Sequence, residues 1–339
     1  MLISVFITNR CNMKCSYCYE GLLKDKSSFN SNKIEALISF LKEILVDDEV
    51  LKINLHGGEP LLKFTILKEL VNKIESEFND RKVFFDMTTN GSIYSREISD
   101  YILKKNINLS ISFDGDENTH NACRKFANGE GSYNIVLKNY KKYLDDGVTV
   151  RCRMTINRFN INGITKGIKK LYSLGVKIFS LTFDIYEKEW NNFIDKVENL
   201  YDELINISNN LDINISIVDK SYIIKKQGDC FGGLTSFTVT ANGDIFPCIF
   251  VTNKKQFRLG NIFKYNYKAI ITRMNNFHMN RSKEFMKCEL CAGQEICSGQ
   301  RCKLINFTVN NSYTEYCKSF LFVDKYDFIK IIRLVFKNY

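Results

Sequence analysis

The stretch LISVFITNRCNMKCSYC, residues 2–18, carries two signals. Its first seven residues are a continuous apolar, β-branched run, the pattern of a buried strand. Two residues later come Cys11, Cys15 and Cys18, three thiols within eight residues. If further strand–helix units follow, the fold is parallel α/β, and the cysteines lie where the chemistry of such folds gathers, at a strand's C-terminal end.

The rest of the first half repeats that plan. Strands are expected at 51–58, 82–91, 107–115, 148–156 and 176–185. Helices are expected from a Ser31 or Asn32 cap through Ile34, Leu37, Ile38, Leu41, Ile44 and Leu45, and near 61–79, 95–105, 133–145 and 162–174. Six strand–helix units with short turns imply parallel strands with helices packed outside. The motifs NRC (9–11), GGEP (57–60), TTNG (88–91) and FDG (113–115) all fall at strand ends, and the fold would gather them on one rim. After residue 190 a helix (190–208) and a strand (213–218) lead into a Cys- and Gly-rich region where regular structure is expected to be sparse. The tail, 320–339, reads as an amphipathic helix that packs on the barrel. No internal repeat or low-complexity linker is evident.

The 339 residues, 45% hydrophobic, suffice for one large core or two smaller ones. A net charge of +10, spread along the chain, reads first as a soluble surface with a basic bias; its functional reading is attraction of acidic partners, and no nucleic-acid-binding motif accompanies it. The first ten residues do not read as a signal peptide, and no window reaches the roughly 18 apolar residues of a membrane span. A cytoplasmic location is expected, where twelve cysteines argue for metal or cofactor binding over disulfides.

A structural zinc site wants four ligands. Cys11, Cys15 and Cys18 supply three, with no histidine nearby in sequence. On a [4Fe–4S] cube, three cysteines leave one iron open to a substrate or cofactor. The spacing C-x3-C-x2-C after a first strand, with Tyr17 before the last cysteine, resembles the radical S-adenosylmethionine (SAM) superfamily. That resemblance implies a cluster whose open iron chelates SAM, and a 5′-deoxyadenosyl radical that abstracts hydrogen from substrate. It places Gly57, Gly58 and Glu59 at the methionine amino group and Ser112 at the ribose. Arg124, twelve residues after Ser112, falls at the methionine carboxylate and Tyr17 against the adenine. Asn90 and Asn157 are further candidates. Cys123 and Cys152 match no motif and are expected to be free buried thiols.

Seven later cysteines resemble a SPASM domain, an extension with two auxiliary [4Fe–4S] clusters. Twelve residues separate Cys230 from Gly243, and four separate Gly243 from Cys248, as the family pattern requires. Four residues lie between Cys297 and Cys302, where the pattern has three, which reads as a loop insertion. The resemblance assigns Cys230, Cys248 and Cys302 to one cluster and Cys288, Cys291, Cys297 and Cys317 to the other, three clusters in all. The implied organisation is a partial (β/α)6 TIM-like barrel (1–190), a bridge (191–227), a small Cys-rich iron–sulfur domain (228–320) and a terminal helix (321–339).

The family implies a peptide or protein substrate and flavodoxin or ferredoxin as electron donor. The residue after the PC cysteine is usually a catalytic Asp in the sulfatase-maturing branch. Here it is Ile249, which favours modification of a ribosomally made peptide, with a thioether as first guess, over formylglycine formation. Only ten residues precede Cys11, so leader recognition is expected to need a separate leader-binding protein or the basic surface itself. Two other readings are a zinc protein that binds nucleic acid and a radical enzyme with a small-molecule substrate.

Overall fold

The computed structural model describes residues 1–19, 25–46, 49–187, 190–219, 231–279 and 303–311. Six parallel strands appear in chain order: β1 (Leu2–Thr8), β2 (Leu51–Gly57), β3 (Val83–Thr89), β4 (Asn108–Ser112), β5 (Val150–Ile156) and β6 (Ile178–Phe183). Between them lie α1 (Ser31–Ile44), α2 (Phe64–Glu77), α3 (Arg96–Lys104), α4 (Glu117–Cys123), α5 (Tyr133–Asp145) and α6 (Ile164–Tyr172). Then come α7 (Ile194–Asn210), β7 (Asn214–Ile215), β8 (Ser236–Val239), β9 (Asp244–Phe246), β10 (Gly260–Asn261), α8 (Tyr267–Met279) and α9 (Lys303–Asn310).

Among the described residues the sheet runs β10-β9-β8-β1-β2-β3-β4-β5-β6-β7 and does not close on itself. This is the expected partial barrel. One addition was not foreseen: β8, from the Cys-rich region, pairs parallel with β1, so that region extends the sheet. Phe237, Val239, Ile245 and Met274 join the barrel core. β8, β9 and α8 therefore correct the expectation of sparse regular structure there. They are short or weakly periodic elements: β8 is buried by pairing with β1, β9 pairs with β8, and α8 adds Ile270 and Met274 to the same core.

Register explains the two faces. Val5, Leu55, Met87, Leu109 and Val150 line up across five strands, all buried. They pack under helices such as α1, whose Ile34, Leu37, Ile38 and Leu41 are buried. One residue over, Ser4 aligns with Asn54 and Asp86, and Ser112 aligns with Arg153 and Ser180. Because side chains alternate along a strand, the concave face is polar. The interior is therefore not the packed apolar core of a closed barrel, and it leaves room for ligands.

Local signals placed most boundaries. The cap of α1 is Asn30, one residue before the expected Ser31, since its extended backbone lets Oδ1 accept the Lys33 N–H at 3.0 Å. Helix α4, capped by Asp116, was not anticipated. β7 is only two residues long: its ladder with β6 pairs Asn214 and Ile215, and Ser216, whose N–H still donates to Phe179 O at 2.9 Å, already turns away. The terminal helix, Cys230, Cys288, Cys291, Cys297, Cys302 and Cys317 lie outside the described residues.

Candidate active site

The cysteine loop is clamped from two sides. Alongside it runs the segment after α4. Lys14 N–H donates to Lys125 O at 2.8 Å, Ser16 N–H to Cys123 O at 2.9 Å, and Ala127 N–H to Asn12 O at 2.9 Å. Beneath it sits GGEP. Gly58 N–H donates to Thr8 O at 2.8 Å and Glu59 N–H to Arg10 O at 2.9 Å. The glycines make that contact physically available. A Cβ on Gly57 (φ +120°) would fall 2.3 Å from Thr8 O, and one on Gly58 would fall 2.4 Å from Arg10 O.

Glu59 is fully buried. Its Oε1 accepts from Leu61 N–H at 3.1 Å and Thr89 Oγ1 at 2.8 Å, and its Oε2 from Asn90 N–H at 2.7 Å. Burial raises its pKa against those hydrogen bonds. Three of a carboxylate's roughly four acceptor positions are thus filled, and two of them tie GGEP to TTNG. Asn90 extends the tie. Its Nδ2 donates to Asn12 Oδ1 at 2.9 Å and reaches Cys11 Sγ at 3.7 Å, while its Oδ1 accepts from Ser92.

On the far side of the loop lies a buried polar cluster. Tyr17 O–H donates to Asp114 Oδ2. Arg124 Nη1 donates to the Tyr17 oxygen at 2.6 Å and stands 4.0 Å from Asp114 Oδ2. Asp114 Oδ1 accepts the Thr155 N–H at 3.0 Å, pinning β4's end to β5. Burial opposes the charge on Arg124, but Cys15, Tyr17 and Asp114 outweigh it and hold the guanidinium protonated. A second chain supports Arg124 from behind. Asp114 N–H donates to His120 Nδ1 at 3.2 Å, His120 Nε2 meets Ser132 Oγ at 3.0 Å, and that hydroxyl donates to Arg124 O at 2.8 Å. Because Nδ1 accepts, Nε2 carries the proton. Burial keeps this imidazole neutral by pushing its pKa well down. Asp114 and His120 were missed in the sequence, although FDG and the histidine before Arg124 stood beside residues already singled out.

Burial pushes the Cys11 thiol up to about 11 and also raises Cys15, against the nearby Arg124 charge. Such thiols ionise on binding a metal. No three His, Cys, Asp or Glu side chains converge on one ion among the described residues. A cube gives each thiolate its own iron and does not require that convergence. One further atom fits an anionic ligand: Arg124 Nε is buried with no hydrogen-bond partner, a donor suited to a carboxylate. Ser112 is half-buried at the end of β4. Asn157 does turn work, its Oδ1 accepting the Phe159 N–H at 2.9 Å. Cys123 and Cys152 are buried free thiols. Cys248 is half-buried beside the satellite core of Phe246, Val251, Phe257 and Leu304.

A cleft of about 490 Å³ opens next to this loop. Tyr17, Cys18 and Tyr19 form one wall, and the loops after β5 and β6 form another. Asn253, Lys254 and Thr308 close it from the C-terminal region. Ile249 opens a short 3₁₀ turn after Cys248. Among the described residues no helix is long and apolar enough to cross a membrane.

Comparison with known proteins agrees with this geometry. The family model of the radical SAM superfamily matches residues 5–175, and that of the SPASM iron–sulfur cluster-binding domain matches 230–303. The cysteine-type anaerobic sulfatase-maturating enzyme of Clostridium perfringens (strain 13 / Type A) is 24% identical, over 96% of this chain and 95% of its own. The antilisterial bacteriocin subtilosin biosynthesis protein AlbA of Bacillus subtilis (strain 168) is 25% identical, over 88% of this chain and 67% of its own. The solved structure of native anSMEcpe with bound AdoMet superposes with a TM-score of 0.79, at 18% identity and 99% coverage of both chains. A barrel that gathers three cysteines, GGEP and a buried arginine at one rim, continued by an iron–sulfur domain, places this chain among the enzymes of the radical SAM superfamily, with a SPASM domain at its C-terminal side.

Proposed function

We propose that this enzyme modifies a ribosomally made peptide by hydrogen abstraction, closing a thioether or another crosslink. The observation that carries this reading is the cleft, built jointly by the cysteine loop, the barrel mouth and the C-terminal region. It is large enough for a peptide segment and lies against the residues that would hold the cofactors. The similarity to AlbA supports the same substrate class. Cys11, Cys15 and Cys18 would hold one [4Fe–4S] cluster. Gly57, Gly58, Glu59, Asn90, Ser112, Tyr17 and Arg124 would surround SAM, and the orphan N–H of Arg124 fits its carboxylate. When bound, these groups supply the electron and the 5′-deoxyadenosyl radical that start the reaction.

This chain's own residues do the positioning. Glu59 and Asn90 fix the loop, and the Tyr17–Asp114–His120 cluster holds Arg124. Cys230, Cys248 and Cys302, with Cys288, Cys291, Cys297 and Cys317, would hold two auxiliary clusters, for three in all. Flavodoxin or ferredoxin would deliver electrons in the cytoplasm, and a separate protein would present the leader.

Sulfatase maturation is the second reading, favoured by the full-length similarity to the C. perfringens enzyme. Ile249, where that branch usually has Asp, counts against it. The test is a screen for 5′-deoxyadenosine formed only when peptide is present. It uses anaerobically reconstituted enzyme, dithionite and SAM, with a pool of cysteine-containing precursor peptides set against sulfatase-type Cys and Ser peptides. Response to precursor peptides with loss of hydrogen from the product supports the proposal. Formylglycine from a sulfatase peptide would replace it with the second reading, and no response from any peptide would defeat both.

A further inference from the structure

The cleft holds two carboxylates that none of the roles above employs, Asp184 and Glu187. Asp184 follows β6 and lines the same cleft as Tyr17 and Cys18 of the cysteine loop. We infer that Asp184 is the proton acceptor for the reacting side chain of the substrate, and that this side chain is a cysteine thiol. The inference rests on the peptide-modifying reading and names the group that reading leaves open.

Position comes first. Asp184 N–H donates to Ile156 O at 2.8 Å, and its Oδ1 accepts the Tyr186 N–H at 2.9 Å, so the carboxylate is fixed at the mouth of the barrel. A substrate in the cleft would lie against both this carboxylate and the cysteine loop. The other cleft carboxylate, Glu187, is ion-paired with Arg158 at 3.4 Å and its side chain is only 7% exposed. The remaining ionisable groups on the cleft are Tyr17, Cys18, Tyr19, Tyr186 and Lys254.

Chemistry then selects the partner. Burial pushes Asp184 up to about 6, against the Tyr186 N–H and reinforced by Glu187. A base of that strength takes a proton from a thiol, pKa about 8.5, at a cost of roughly 300-fold in equilibrium. An alkyl hydroxyl, near the 15.7 of water, lies about ten powers of ten away. In the step proposed, the S–H bond breaks, the proton bonds to Asp184, and sulfur keeps the electron pair as thiolate. No oxidant is needed for that step.

The experiment uses the reconstituted holoenzyme and the cysteine peptide that scores in the screen above. Asp184→Asn is expected to lower modified peptide per 5′-deoxyadenosine by about 10²-fold or more. Asp184→Glu should recover part of that loss. The wild-type product rate should rise with pH to a plateau above about 6, and the variant should lose that limb. An unchanged product ratio in Asp184→Asn, or a wild-type profile flat through pH 6, would overturn the assignment. If no peptide scores, the peptide-modifying reading fails instead. An infrared titration of ¹³C-Asp-labelled holoenzyme still decides on Asp184: a carboxyl titrating near 6 and lost in Asp184→Glu or Asp184→Asn supports it, and none there overturns it.

Discussion

Replacing Gly58 with Ala should damage the active site far more than the fold. The added Cβ would sit 2.4 Å from Arg10 O, 2.7 Å from Arg10 C and 2.9 Å from Asn9 O. All three are backbone atoms of the cysteine loop, so no rotamer change relieves the contact. Restoring an ordinary separation moves the loop by roughly 1 Å, at an overpacking cost of about 1–3 kcal/mol. The same shift strains the Gly58-to-Thr8 and Glu59-to-Arg10 hydrogen bonds, each worth about 1 kcal/mol. Cofactor sites tolerate displacements of about 0.5 Å, and an error of about 1 Å costs roughly 10²-fold in rate. Gly147→Ala is the control. It has φ +86° but no atom within 4 Å, so it carries only the left-handed backbone cost of about 1–2 kcal/mol. The assay is dithionite-driven SAM cleavage, with iron per chain and melting temperature measured on the same samples. Gly58→Ala should lose cleavage about 10²-fold while Gly147→Ala keeps it. Cleavage within about threefold of wild type in Gly58→Ala would refute the argument from steric contact.

Three other changes test the supporting residues. Tyr17→Phe removes the hydroxyl between Arg124 and Asp114, so melting should fall by an amount equivalent to about 1–3 kcal/mol and SAM affinity should weaken in equilibrium dialysis; an unchanged melt would contradict the cluster's role. Asn90→Ala removes the amide that reaches Asn12 and Cys11, and reconstituted protein should release iron to a chelator about tenfold faster. Asp184→Asn should stabilise the fold at neutral pH. Its folded pKa, about 6, lies above the unfolded 3.8, so the carboxyl favours the fold at low pH and costs stability as pH rises through that window. The shift would be worth about 3 kcal/mol in full. With solvent screening at its exposed side we expect about 1 kcal/mol, seen as about 2–4 °C of melting temperature at pH 7.5 and none at pH 3.

The parts of this protein that were legible are those set by local pattern. The strand 2–8 and the helix 133–145 were read with their observed boundaries, because an unbroken apolar run and a regular helical stripe specify them alone. The strand expected at 107–115 ends at Ser112, because Asp114 leaves the sheet to accept the Thr155 N–H. Helix α4 was invisible: only His120 and Cys123 of its seven residues are buried, too few to make a stripe. The site was legible as motifs but not as a network. Tyr17 and Arg124 lie 107 residues apart, and Glu59 and Asn90 lie 31 apart. No spacing rule connects them until parallel strands bring their ends together. Asp184 carried no motif at all, and only the cleft distinguishes it.

The central claim is that Cys11, Cys15 and Cys18 hold the cluster at which SAM is cleaved. The most direct measurement is iron, sulfide and 5′-deoxyadenosine yield, all anaerobic. It compares wild type with the triple variant Cys11→Ala, Cys15→Ala and Cys18→Ala. The account predicts about twelve irons per chain falling to about eight, with SAM cleavage abolished. Iron unchanged in the triple variant, or SAM still cleaved by it, would contradict the claim.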